Sequence, residues 1–360
     1  MGKLRLSAVG VSLEVRAPED DLPRLREQWS RCLDGVGPEP AETIETRGGA
    51  DADYELTTQV TVAAITQQAG RLTMLHAAGV SDAEGRVAAL VAASGTGKTT
   101  AARYLCERGW GYVSDETVAI DADGAVTPYP KPLSVIRGAG RPKHQHSPDE
   151  LGLGVPRGQL RLGRVILLER DDDFGGEPGL EPVGLVDSLL ALIPQTSALP
   201  SQPAPLRTLA RHLQETGGAV RLRYREIADA AALIERAMDP STATEVYAED
   251  LPPQSDPAGP PATPLPTPAD EELPEFALYL RGPYADAVAD EDNVLVLVGN
   301  HPFGLAGVGD VIWRTTARAT ELPELEQVCE ETFGAHPDSG RIVRETVRAM
   351  LQHGLLQRIG

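Results

Sequence analysis

Residues 87–100 read VAALVAASGTGKTT, an apolar run that gives way to small residues and then to Lys98, Thr99 and Thr100. The stretch decides the fold because two periodicities meet in it. Upstream, RVAALVA has the continuous apolar pattern of a buried strand. Downstream, KTTAARYLCERG has helical spacing and closes at Gly109, a C′ glycine. Between them, residues 92–99 match the pattern G-x-x-x-x-G-K-[ST] at Gly97, Lys98 and Thr99, with Ala92 in the leading position. A loop of this kind turns the backbone N–H groups of Ser94, Gly95, Thr96 and Gly97, the lysine and the hydroxyls of Thr99 and Thr100 toward phosphate oxygens at a helix N-terminus. Ala92 gives up the left-handed freedom of a glycine. The chain has only four lysines (Lys3, Lys98, Lys131, Lys143) among 33 basic residues, so a lysine kept inside the loop marks a place that needs a compact point charge.

Composition narrows the function classes. The chain has 360 residues, enough for two or three domains. Its formal charge of −20 opposes general binding to nucleic acid or to anionic membranes. Cys32, Cys106 and Cys329 lie far apart, form no C-x-x-C pair and read as core thiols of a reducing compartment. No segment approaches the ~20 apolar residues of a membrane span, and the N-terminus has neither a signal-peptide core nor a myristoylation pattern. A cytoplasmic protein is expected.

Patterning divides the chain into an N-terminal α+β lobe (1–70), a nucleotide-binding core (71–238), a proline-rich linker (239–274) and a C-terminal domain (275–360). In the lobe, LRLSAVGVSLEV alternates as a strand, while DLPRLREQWSRCL and TQVTVAAITQQAG read as helices. In the core, TMLHAAGV reads as a strand, and WGYVSDETVAIDADGAVTPYP as a strand, an acidic corner and then a hairpin about Asp123-Gly124. Beyond these come the strands GRVILLERD and AVRLRYR and helices near 186–193, 206–215 and 226–238. Strands and helices alternate with hairpins interspersed, which predicts a mixed α/β sheet.

Phosphoryl chemistry needs carboxylates beside the loop. Asp115 and Glu116 stand just past the strand that follows the P-loop helix: one can hold magnesium, directly or through water, while the other takes the proton of an attacking hydroxyl. Adjacent residues cannot face one way on a regular strand, so a bend is expected here. His76, on TMLHAAGV, is the third polar candidate.

LHAAGV, AASGTGKTT and GWGYVSDETVAI, in this order and spacing, resemble the HPr kinase family over roughly residues 70–240. The resemblance implies a fold related to the ATP-using phosphoenolpyruvate carboxykinases and phosphate transfer to a serine hydroxyl. It also implies ATP and Mg2+ as cofactors, His76 as an active-site residue, Lys98 and Thr99 on nucleotide and metal, and Asp115 as base or metal ligand. Glu116 replaces the family's second aspartate. SVIRGAG is similar to a later arginine-glycine signature, with Val135 where an acidic residue belongs, and offers Arg137 as a substrate contact.

In the C-terminal domain, DNVLVLVGN and FGLAG predict a hairpin, and three helices follow, with Gly334 and Gly354 as C′ residues. The last helix sets Ile342, Val343, Val347, Met350 and Leu351 on a core stripe and Arg341, Arg344 and Arg348 on another side. This reads as a winged helix-turn-helix. GLAGVGDVIW through LQHGLLQ is similar to PqqD-like domains, which bind leader peptides of ribosomally made, modified peptides by strand addition. DNA is disfavoured by Glu321, Glu324, Glu326, Glu330 and Glu331 on the second helix. The expected function is an ATP-dependent kinase of a Ser or Thr in a precursor peptide, possessing the leader as partner and other biosynthetic enzymes as further partners. The alternatives are a small-molecule kinase of the same pathway and a non-catalytic, nucleotide-gated scaffold.

Overall fold

The strand ahead of the loop, Arg86–Val91, has five of its six residues buried, as a strand covered on both faces must. The computed structural model describes residues 1–35, 37–49, 52–93, 95–135, 144–253, 273–274 and 276–359. Arg86–Val91 belongs to a six-stranded sheet in the order Gly179–Val183, Ala219–Tyr224, Arg161–Arg170, Arg86–Val91, Ala77–Ser81, Gly111–Ser114. The second, third and fourth strands of that order are parallel; the outer pairings are antiparallel. The sheet is therefore mixed, within an α/β fold of several sheets. Helices Lys98–Cys106 and Ile227–Ala237 bury Ala101, Ala102, Leu105, Ala230 and Ile234 in one core with Leu90, Ile166 and Leu222. Each large side chain of that kind contributes about 1.5–3 kcal/mol by leaving water.

One strand expectation is corrected. TMLHAAGV is two strands, Thr73–Leu75 and Ala77–Ser81, in different sheets, with His76 between them. The neighbouring chain does the same: Gly111–Ser114 pairs with Ala77–Ser81, whereas Val118–Ile120 pairs with Thr73–Leu75. Two paired segments thus cross together from one sheet to the next. Gly79 permits it, because a Cβ there would stand 2.9 Å from Val118 Cγ2, at a register shift in the ladder.

The N-terminal residues form a three-stranded sheet, Gly2–Ala8, Val11–Ala17 and Glu42–Glu45, with helices Leu22–Gln28 and Asp53–Gln68. The second helix begins five residues earlier than TQVTVAAITQQAG predicts, where buried Asp53 pairs with Arg24. The lobe's core includes Met74, Ala119 and Tyr129 of the second sheet.

The chain divides into two compact units, residues 1–184 with 191–246, and residues 185–190 with 247–360. In the second unit a sheet runs Glu249–Asp250, Asp286–Ala289, Asn293–Val298, His301–Ala306, and another runs Thr320–Glu321, Leu278–Arg281, Leu356–Ile359. Helices Val308–Thr315, Leu322–Phe333 and Ser339–Gln352 enclose a core around Trp313, Leu325, Val347 and Met350. Ile342, expected on the core stripe, is exposed because the buried face follows Val343, Val347 and Met350. Gly354 follows the last helix in left-handed conformation, whereas Gly334 is itself the cap of the preceding one. Of the stretch expected as a linker, residues 239–253 carry the 3-10 turn Pro240–Thr242 and the strand Glu249–Asp250; residues 254–272 lie outside the described residues. No described helix is long and apolar enough to cross a membrane.

Candidate active site

The loop between Arg86–Val91 and Lys98–Cys106 turns through Gly95 (φ 86°) and Gly97 (φ 98°), conformations that only glycine takes without strain. Ala92 has no positive φ; it is buried against Ala101 and Ala102 in the helix-side core, so alanine in the leading position costs no backbone strain. Lys98 is 7% exposed. Its Nζ donates to the Ala92 carbonyl at 2.6 Å and the Ala93 carbonyl at 3.3 Å. Burial pulls its pKa below the usual lysine range, against the opposing pull of Asp115 and Glu116. Thr96 spends its hydroxyl on the Ala93 carbonyl inside the loop, at 2.9 Å. The Thr99 hydroxyl reaches the carboxylate instead: Oγ1 donates to Asp115 Oδ2 at 3.3 Å.

The sheet crossover supplies the carboxylates. Ser114 Oγ accepts from the backbone N–H groups of Glu116 (3.2 Å) and Thr117 (3.1 Å), a serine turn that ends one strand and brings the adjacent acidic side chains to the same cation. That cation is Lys131, whose Nζ lies 3.1 Å from Asp115 Oδ1 and 3.0 Å from Glu116 Oε2. Burial works to lower the Lys131 pKa, but the two carboxylates outweigh it and hold the ammonium above its ordinary range. The Tyr112 hydroxyl also donates to Asp115 Oδ1, at 3.0 Å. Burial and then the Asp115 charge keep that phenol protonated far beyond neutral pH.

His76 stands at the other strand of the crossover. Its N–H donates to Gln195 O at 2.6 Å, and the next N–H, of Ala77, donates to Glu116 O at 3.2 Å. Burial, reinforced by Lys98, lowers its imidazole pKa, so the ring is neutral at pH 7.

These groups line one cavity of about 410 Å³, which His76, Gly95, Gly97, Lys98, Thr99, Thr100, Asp115, Glu116 and Lys131 share. Tyr54, Thr57 and Thr58 of the helix Asp53–Gln68 complete one wall, and Ser134 another. Lys131, Tyr112 and this helix face are not among the site residues expected from the sequence. Lysine scarcity was a usable signal for Lys131, the same one that marked Lys98; the helix face carries none. Ser94 and Arg137 lie outside the described residues.

Among the described residues no group of three His, Cys, Asp or Glu side chains could hold a metal ion by itself. Magnesium does not require one, since it keeps several waters and binds through one or two carboxylates together with substrate phosphates. The donor pair Thr99 Oγ1 and Asp115 Oδ2, at the first turn of the helix that follows Gly95 and Gly97, fits that habit.

Arg341, Arg344 and Arg348 belong to the second unit. Arg341 pairs with Glu345 at 3.0 Å and Asp338 at 3.6 Å, and Arg344 with Glu326 at 2.9 Å. The Arg348 Nε is buried without a hydrogen-bond partner among the described residues. Two of the three arginines thus already meet carboxylates of their own domain.

No family model matches the chain, and no curated protein matches it. Among solved structures it is similar to an Hpr(Ser) kinase/phosphatase from Coxiella burnetii, at 12% identity over 46% of this chain and 92% of that chain, with a TM-score of 0.25. The functional reading therefore rests on the site geometry.

Proposed function

We propose that the chain is an ATP-dependent phosphotransferase whose acceptor is a Ser or Thr hydroxyl of a ribosomally made precursor peptide. The observation that carries the phosphotransfer is the convergence of Lys98, Thr99 and Asp115 in one cavity at a helix N-terminus. Lys98 would leave the loop carbonyls for the β and γ phosphates. Thr99 and Asp115 would hold magnesium, which supplies charge neutralisation at the phosphates. In the transfer, the acceptor oxygen bonds to the γ phosphorus as the bond to the β–γ bridging oxygen breaks. ADP leaves with that electron pair, and the hydroxyl proton passes to a carboxylate.

The peptide acceptor is read from the second unit, taken as a winged helix-turn-helix of PqqD-like type. Its hairpin ends in His301–Ala306, the last strand of its sheet, which leaves an edge for strand addition. Phe303 of that strand packs against His353 at the end of Ser339–Gln352, ring centroids 5.1 Å apart. Capture of the leader there makes phosphorylation of the core peptide intramolecular. The test compares a full precursor with its leaderless core. Under this reading kcat/KM falls roughly 100-fold without the leader, mostly through KM. Equal values for both peptides, or transfer to free serine alone, would refute the leader role.

A further inference from the structure

Lys131 has no part in the phosphate loop, yet it is the most buried charge of the cavity, 4% exposed, and it touches both carboxylates. The contacts divide Asp115 into two ends. Oδ1 receives the Lys131 ammonium and the Tyr112 hydroxyl, at 3.1 and 3.0 Å; Oδ2 accepts from the Thr99 hydroxyl, at 3.3 Å. Glu116 gives one oxygen, Oε2, to Lys131, and its side chain is 35% exposed to the cavity. An ammonium between two carboxylates occupies the position from which a divalent ion would bridge them.

We propose that Lys131 is a built-in cation that restricts the cavity to a single divalent ion, reserving Asp115 Oδ2 with the Thr99 hydroxyl for that ion and leaving Glu116 to receive the acceptor's proton. The inference rests on the phosphotransfer reading and deepens it by separating two carboxylates that are equivalent in the sequence. Lys131 is a positioning residue here: it acts through Asp115 and Glu116 and leaves the phosphates to Lys98.

The test is titration of the full chain with Mn2+ alone, followed by the paramagnetic resonance of the free ion, on wild type, Lys131→Met, Asp115→Asn and Glu116→Gln. Removing the resident cation should tighten Mn2+ binding at least tenfold in Lys131→Met, a gain that a merely structural lysine would not give. Asp115→Asn should lose Mn2+ affinity at least tenfold, while Glu116→Gln stays within about threefold of wild type. The last comparison decides the matter if Lys131→Met fails to fold. Unchanged or weaker Mn2+ binding in a folded Lys131→Met, or equal losses in Asp115→Asn and Glu116→Gln, would overturn the proposal. The titration uses neither nucleotide nor turnover, so failure of the kinase reading shows separately, as absence of ATP binding by wild type.

Discussion

Thr99 Oγ1 donates to Asp115 Oδ2 across 3.3 Å, and so ties the first turn of the P-loop helix to the point where two paired strands change sheets. The cavity exists because these two features of the fold meet there. A hydroxyl fixed to the loop of Gly95 and Gly97 and a carboxylate fixed to the crossover thus share one hydrogen bond in the cavity.

Loss of the loop lysine should show first in nucleotide binding. Lys98→Ala removes a charge-assisted contact to phosphate worth roughly 1.5–3 kcal/mol, or about 10- to 150-fold in affinity. Calorimetric titration with an ATP analogue measures it; equal affinity in both proteins contradicts the role of Lys98.

Much of this site was legible before the fold was known, and the reason is local. Gly97, Lys98 and Thr99 form a contiguous pattern whose geometry is set by chain neighbours, and the bend at Asp115-Glu116 follows from adjacency. Lys131 joins them across a loop, and Tyr54, Thr57 and Thr58 arrive from a helix some 40 residues upstream of the phosphate loop. Those meetings depend on tertiary packing, to which no short-range period points. His76 stands between two strands although its surroundings read as one, because a sheet crossover leaves the apolar pattern of a strand unbroken.

Acid should weaken the first unit through His212. This residue is 3% exposed, neither ring nitrogen has a hydrogen-bond partner among the described residues, and burial, aided by Arg211, pulls its pKa down to about 4 from 6.5. Above pH 6.5 the ring is neutral in both folded and unfolded chains and stability is unaffected. As pH falls from 6.5 toward 4 only the unfolded chain takes up the proton, so about 3 kcal/mol is lost. Denaturant melts of wild type and His212→Leu should diverge across that window; parallel curves would remove His212 as the cause.

The buried thiols should be silent in the native protein. Burial pushes Cys32 and Cys106 up to about 12, leaving almost no thiolate at pH 8. A thiol-reactive dye should label neither until denaturant is added. Stoichiometric native labelling of either would contradict their burial.

A C-terminal fragment should begin at residue 247 rather than 275. The longer piece keeps Glu249–Asp250 paired with Asp286–Ala289, and the Glu249 carboxylate 2.7 Å from Arg314 Nη1. Together these are worth about 1 kcal/mol, so fragment 275–360 should melt roughly 4–8 °C below fragment 247–360. Equal melting points would mean the strand adds nothing.

Phosphoryl transfer from this cavity to a peptide hydroxyl is the activity proposed for the chain. Its most direct measurement uses the full chain, Mg2+, ATP labelled at the γ phosphorus, and a precursor peptide with a leader followed by a core that carries Ser and Thr, with the label located by fragmentation mass spectrometry. Label is expected on one Ser or Thr of the peptide with wild type, and at least 100-fold less with Asp115→Asn. Label found only in free phosphate, released equally by wild type and Asp115→Asn, would contradict it.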